Sequence, residues 1–202
     1  MVAGSSAVRA SPWWITRIAL VLVLGLATSA NADATDDRRA LVMLRVLAYD
    51  KQLAARAGDE VRIIIVFSAG ETGAAERARW SAAFANARKL KLDGRQVVVV
   101  EHKFETAKQL DRVLHDPHAA ALVVCDGVLD DIGLADLAAL TRARKVLTLS
   151  TREAEVVKGL AVGVVHGSSR DEIVINLAAA TAEGVKFDAG LLQLARSVGG
   201  PP

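Results

Sequence analysis

The sequence predicts an α/β fold: a single three-layer domain, mostly parallel sheet with helices on both faces, ending in a β-hairpin followed by two short helices. Three observations lead there. Short apolar runs recur at Ile63-Ile64-Ile65-Val66-Phe67, Val97-Val98-Val99-Val100, Ala121-Leu122-Val123-Val124-Cys125 and Val146-Leu147-Thr148-Leu149. They are continuous rather than alternating, as suits strands covered on both faces. Segments of helical period separate them, and strand–helix alternation implies a parallel sheet. The pattern then changes. Ala161 to Val165 and Ile173 to Ile175 are separated only by His166 to Glu172, which is rich in turn formers and too short for a crossover helix, so this pair reads as an antiparallel hairpin.

The elements follow in order. Arg38 to Arg56 reads as one helix with Leu41, Leu44, Leu47 and Ala48 on one face and Gly58 beyond its end. Trp80, Ala83, Phe84 and Ala87 mark the helix after the first strand. Thr106 and Gln109 have capping-box spacing ahead of a helix carrying Leu110, Val113 and Leu114. Leu134, Leu137 and Ala138 mark the next helix, and Ser150 with Glu153 repeats the capping-box spacing after the fourth strand.

The first thirty residues read differently. Arg9 and Arg17 precede the apolar run Ile18 to Ala27, and Thr28-Ser29-Ala30-Asn31-Ala32 supplies small residues for a cut. That is the three-part layout of a secretory signal, residues 1–32, with cleavage expected near Ala32. A bilayer span needs about 20 apolar residues, more than this run offers before it turns polar. No cysteine follows the run, so no lipid anchor is expected. Residues 33–198 then form the domain, and 199–202 a frayed tail. Cys125 is the only cysteine, so an exported chain must rely on its core and not on an internal disulfide. A hydrophobic content of 52% supports that. Losing Arg9 and Arg17 from 25 basic residues balances the 23 acidic ones. With no basic run interleaved with aromatics, a nucleic-acid partner has no electrostatic footprint.

Catalytic signatures are missing. Ser68-Ala69-Gly70-Glu71-Thr72-Gly73 follows a strand but lacks the lysine and spacing of a phosphate loop, and no serine sits in a nucleophile elbow. Pro117 between His115 and His118 points to a polar turn rather than a metal pair, so no metal and no cofactor is expected. Cys125, beside Asp126 and near the strand carrying His102, is a nucleophile only if something lowers its pKa; a small buried residue is the simpler reading. Geometry marks one region. Ligands of open parallel sheets sit beyond the carboxyl ends of the strands, where Ser68, Glu71, His102, Asp126 and Arg152 offer polar groups. These are the candidate ligand residues of a small-molecule reading, set against the simpler role of ending strands and capping helices.

The C-terminal segment is more specific. Asn176 is placed to cap a helix from Leu177 to Glu183, and Gly184 to end it in the left-handed conformation. Asp188 offers a second N-cap, and Phe187 with Leu192 has hydrophobic-staple spacing. Leu191, Leu194, Ala195 and Val198 share one face and are expected to dock on the sheet, so that Leu191→Asp or Leu194→Asp should unfold the domain.

Ile173-Val174-Ile175-Asn176-Leu177, Ala178-Ala179-Ala180, Gly184-Val185-Lys186-Phe187 and Leu191-Leu192-Gln193-Leu194-Ala195-Arg196 together resemble the C-terminal signature of the YfiR-like family of exported bacterial regulatory proteins. The hairpin upstream fits, as does Val46-Leu47-Ala48-Tyr49-Asp50 in the early helix. The resemblance spans roughly residues 38–198. It implies a periplasmic, non-enzymatic regulator whose partner is the periplasmic domain of an inner-membrane signalling protein; the best-known relatives hold a diguanylate cyclase inactive and lower cyclic di-GMP. The chain departs from those relatives in lacking paired cysteines and in replacing an aromatic-rich first helix by an Ala/Arg-rich one. Redox control by an internal bridge is therefore not carried over. A homo-oligomer stays open. The alternative is a small-molecule-binding domain, which predicts a ligand-dependent rise in melting temperature, and a Cys125 hydrolase ranks last.

Overall fold

The structure, a computed structural model, describes residues 34–87, 90–167 and 170–199. The predicted signal and residues 200–202 of the predicted tail lie outside them. The fold is that of the compact unit that begins at residue 36; of the residues before it only 34 and 35 are described.

The predicted α/β class is borne out. The helix over residues 34–48 is α1, followed by α2 (Leu53–Ala57), β1 (Glu60–Phe67), α3 (Gly70–Ala87), β2 (Lys91–Leu92) and β3 (Arg95–Lys103). Then come α4 (Ala107–Leu114), β4 (Ala119–Val124), α5 (Val128–Ile132), α6 (Leu134–Arg144), β5 (Leu147–Ser150) and α7 (Glu153–Lys158). The chain closes with β6 (Val162–His166), β7 (Asp171–Ile175), α8 (Leu177–Ala182), α9 (Ala189–Leu194) and β8 (Arg196–Ser197).

The sheet order is β2-β3-β1-β4-β5-β6-β7-β8. β3, β1, β4, β5 and β6 run parallel, with Ile64 in register between Val100 and Leu122. Continuous apolar runs end up where such runs belong: Ile63 to Val66 and all of β4 and β5 are buried. The direction of travel reverses at β1. Because crossovers are right-handed, that reversal places α3 on one face and α4, α6 and α7 on the other. Asp36 of α1 reaches Arg79 of α3 at 3.5 Å, and Arg144 of α6 binds Asp111 of α4 at 2.6 Å. The predicted β6–β7 hairpin forms, antiparallel, with Val164 opposite Ile173.

Several local expectations are corrected. The helix expected over Arg38 to Arg56 is two helices. Asp50 interrupts it: Oδ1 accepts from the Gln52 and Lys186 amides at 2.9 and 3.0 Å, and Oδ2 from Arg56 Nε and Nη2 at 3.1 and 2.8 Å. Lys51 N donates to Lys186 O and Asp188 N to Tyr49 O, so the chain around Asp50 zips to the tail instead of continuing the helix. The buried face of α1 carries Ala40, Met43, Leu44, Val46 and Leu47, whereas Leu41 and Ala48 are exposed.

Thr106 caps α4 as expected, accepting from Gln109 N at 3.3 Å. Ser150 does not cap α7. It belongs to β5, and its hydroxyl accepts from Arg152 N and donates to Glu155, leaving Arg152 at the cap position without a side-chain bond. Strand β2, paired antiparallel to β3 through an Asp93–Gly94 turn with φ of 49° and 81°, was not expected, nor was β8, which runs parallel to β7.

Candidate functional site

Two regions collect the residues that the sequence singles out. The first is the carboxyl end of the parallel strands, at the β1/β4 junction where the strand order reverses. Ser68 leaves β1 and donates to the Asp126 carbonyl at 3.3 Å, while Arg152 approaches the Asp126 carboxylate at 3.8 Å. Three of the five candidate ligand residues therefore converge. Glu71 stands exposed in the first turn of α3, with no described bond to the others. His102 sits at the end of β3, where burial lowers its pKa; its Nε2 is enclosed without a hydrogen-bond partner.

This junction is packed. A Cβ on Gly73 would stand 1.9 Å from the Ser68 carbonyl oxygen, so the start of α3 rests directly on the end of β1. Around it the sequence reading missed a charged network. Glu76 binds Arg79 at 2.9 Å, and Arg79 approaches Asp36. Burial raises the Glu76 pKa, opposed by the Arg79 charge. Cys125 is buried, and burial, with the Glu76 carboxylate adding to it, pushes its thiol up to about 12. A thiol held protonated is the inert structural kind, which removes the support for a Cys125 nucleophile.

The second region is the C-terminal segment. Asn176 caps α8, accepting from Ala179 N at 3.1 Å and donating to Val156 O at 3.1 Å. Gly184 takes φ 79° after the helix, and Asp188 caps α9 by accepting from Gly190 N at 2.8 Å. These caps are as expected. The docking face is not. Leu191 is buried at 1% exposure, but Leu192 is 40% and Leu194 69% exposed. The reason is length: α9 ends at Leu194, the chain turns extended at Ala195, and Arg196–Ser197 pairs with β7 instead of completing a second helical turn over the core. Phe187 is buried, so only one side of the expected staple is sealed. Val198 packs on a small cluster of Val156, Val165 and Val174.

Beside Leu194 lies a depression of about 440 Å³, lined also by Val42, Asp171, Ile173, Ala195 and Arg196. Its rim is mixed: Arg196 is held by Glu153 at 2.8 and 2.9 Å, and Asp171 by Arg39 at 3.2 Å. Tyr49, partly exposed, lies alongside α9 at Gly190. Leu192, Leu194 and Tyr49 are thus exposed apolar side chains on or beside α9, while Leu41, Leu90, Val157 and Leu177 are exposed elsewhere.

A third feature was invisible in sequence. Glu183, at the end of α8, has no exposed surface and accepts from Thr148 N at 2.8 Å, Thr148 Oγ1 at 3.0 Å and Thr141 Oγ1 at 2.9 Å. Burial raises its carboxyl to about 7 against those three bonds.

Among the described residues, no group of three or more His, Cys, Asp or Glu side chains could hold a metal, and no helix is long and apolar enough to cross a membrane.

The sequence model of the YfiR/HmsC-like family matches residues 39–196. The chain belongs to the YfiR/HmsC-like family. That match takes in both halves of the Asp50–Lys186 joint and the whole signature segment. The family is one of periplasmic regulators, regulatory and not catalytic. No curated protein sequence matches the chain. Among solved structures, it is similar to the ligand-free, open form of CD0873, a substrate-binding protein with adhesive properties from Clostridium difficile, with a TM-score of 0.52 and 14% identity, over 74% of this chain and 58% of that one. An ABC domain in complex with L-Trp from Streptococcus pneumonia gives 0.50 and 14%, over 76% and 62%. A conserved domain protein from Vibrio cholerae gives 0.50 and 14%, over 73% and 58%. These likenesses show the fold alone, and the chain spans less than two thirds of each of those structures.

Proposed function

We propose that this YfiR/HmsC-like chain is exported by its residues 1–32, cut near Ala32, and acts without catalysis by docking on the extracytoplasmic domain of an inner-membrane signalling protein. By likeness to the family's best-known members, the partner is a diguanylate cyclase whose cyclic di-GMP output is held down. The observation that carries the docking is the exposure of Leu194, 69% on a helix whose neighbour Leu191 is 1% exposed. Leu194 instead stands at the edge of an open depression lined also by Val42, Ile173 and Ala195, with Leu192 exposed on another side of the helix, and exposed apolar surface of this kind marks interaction sites. The packed β1/β4 junction and the protonated Cys125 thiol support a binding role over a chemical one. The test is crosslinking in intact cells with the tagged mature chain and its Leu192→Asp/Leu194→Asp double variant. The wild type is expected to recover an inner-membrane sensor, and the variant, folded and exported, to lose it. Equal recovery by both would move the docking site off α9.

A small-molecule site at the strand ends is the second reading, favoured by the convergence of Ser68, Asp126 and Arg152. It predicts a ligand that raises the melting temperature of the wild type but not of Arg152→Ala.

A further inference from the structure

Glu183 is the only charged residue of the segment Leu177 to Val185, and it points inward. It joins three elements: its own position just beyond α8, Thr141 on α6, and Thr148 on β5. The joint extends further, because Thr148 Oγ1 also accepts from Ala161 N at 2.7 Å, and Asn176 N donates to Ala161 O at 2.8 Å. The start of the signature segment and its first helix are thereby both tied to the entry of β5 and β6.

The hydroxyl of Thr141 lies 2.9 Å from Glu183 Oε1 and 3.2 Å from the Ala138 carbonyl. It can therefore serve either protonation state. With Glu183 ionised, Thr141 donates to the carboxylate. With Glu183 neutral, Thr141 turns its proton to Ala138 O and accepts the acid's proton, and no heavy atom has to move. The charged groups nearby are Arg142 and Lys145, from α6 and its cap. Arg142 acts on Glu183 only through space, and Lys145 Nζ is spent on the Ala182 carbonyl at 3.0 Å. All of its described hydrogen-bond partners are neutral threonine or backbone groups. The bonds donated to it favour the ionised form, full burial without a hydrogen-bonded cation favours the neutral one, and burial is the larger of the two effects.

We propose that Glu183 is a proton-operated latch: neutral, it locks α8 to α6 and β5; ionised, it weakens that joint, so the signature segment is held less firmly as pH rises. The segment carries Leu192 and Leu194, so the latch sets the firmness of the surface named above. Its consequence for a partner rests on the docking reading, but its existence does not.

The experiment is amide hydrogen exchange on the mature chain at pH 5 and pH 8, corrected for intrinsic rates. The Thr148 and Val185 amides report the joint, bonding to Glu183 Oε2 and the Ala180 carbonyl. A carboxyl at about 7 in the folded chain against 4.5 when released implies an opening constant roughly 70-fold larger at pH 8 than at pH 5. Glu183→Gln should change by less than about threefold. The same response in wild type and Glu183→Gln overturns the latch. If Glu183→Gln fails to fold, titration of the wild-type Glu183 carboxyl carbon decides: a midpoint near 7 supports the latch, and one near 4.5 overturns it. Neither result depends on whether crosslinking finds a partner.

Discussion

Replacing Leu191 and Leu194 separately by alanine separates two residues that sequence spacing places on one face. Leu191 is 1% exposed and belongs to the main core with Phe187, whereas Leu194 is 69% exposed. Truncating a buried leucine removes its transfer energy and leaves a cavity, costing about 2–5 kcal/mol. α9 is short and peripheral, so the site can partly collapse, and about 3 kcal/mol is expected at Leu191. At Leu194 only about a third of the residue is covered, and full burial of a leucine is worth about 1.5–3 kcal/mol, so the loss should stay below about 1 kcal/mol. Urea unfolding followed by fluorescence measures both. Once residues 1–32 are removed, Trp80 is the sole tryptophan, and it is buried in the core. The slope of free energy with denaturant should be unchanged, so midpoints can be compared directly. Equal losses at the two positions, or a loss above about 2 kcal/mol at Leu194, would refute the exposed placement of α9's last turn and with it the reason for the docking surface.

Three further outcomes are expected. Arg56→Met leaves the Asp50 carboxylate buried without its ion pair and should cost about 3–5 kcal/mol by urea unfolding, since the Asp50 side chain is fully enclosed; a loss below about 1 kcal/mol contradicts the joint. Thr106→Ala removes the α4 cap bond and should cost about 1 kcal/mol in the same assay. Because burial raises the folded Glu183 carboxyl from 4.5 to about 7, its contribution to stability is fully present below pH 4.5 and lost as pH rises through 7. The difference in unfolding free energy between wild type and Glu183→Gln should therefore fall by about 3 kcal/mol across that window, and a constant difference contradicts it.

The sheet was legible because its signal is local. Continuous runs such as Ile63 to Val66 can only be covered on both faces, and the short His166 to Glu172 spacer permits only a hairpin. Caps at Thr106, Asn176 and Asp188 were legible for the same reason, each being a bond within three residues. The Asp93-Gly94 dipeptide carried a hairpin signal that was present and unused. What stayed hidden depends on distant partners. Nothing near Asp50 says that Lys186 will pair with it, 136 positions away, and that pairing ends α1 early. Glu183 reads as a polar helix end until Thr141 and Thr148 are brought to it. Leu194 carries helical spacing with Leu191, but pairing of Arg196–Ser197 with β7 overrides that spacing. The rule that ligands sit at the carboxyl ends of parallel strands named five candidates alike, while nothing in sequence showed that only Ser68, Asp126 and Arg152 converge or that Gly73 closes the space beside Ser68.

The central claim is that this chain acts through a partner held at α9. A photo-crosslinking side chain placed at Leu194 in the mature chain, and for comparison at exposed Lys108 on α4, tests it in intact cells. One inner-membrane sensory protein is expected to be captured from position 194 and not from position 108, and deleting that protein should abolish the signalling effect of this chain. Capture of the same protein equally from both positions, or none from position 194 by a folded and exported chain, would contradict the account.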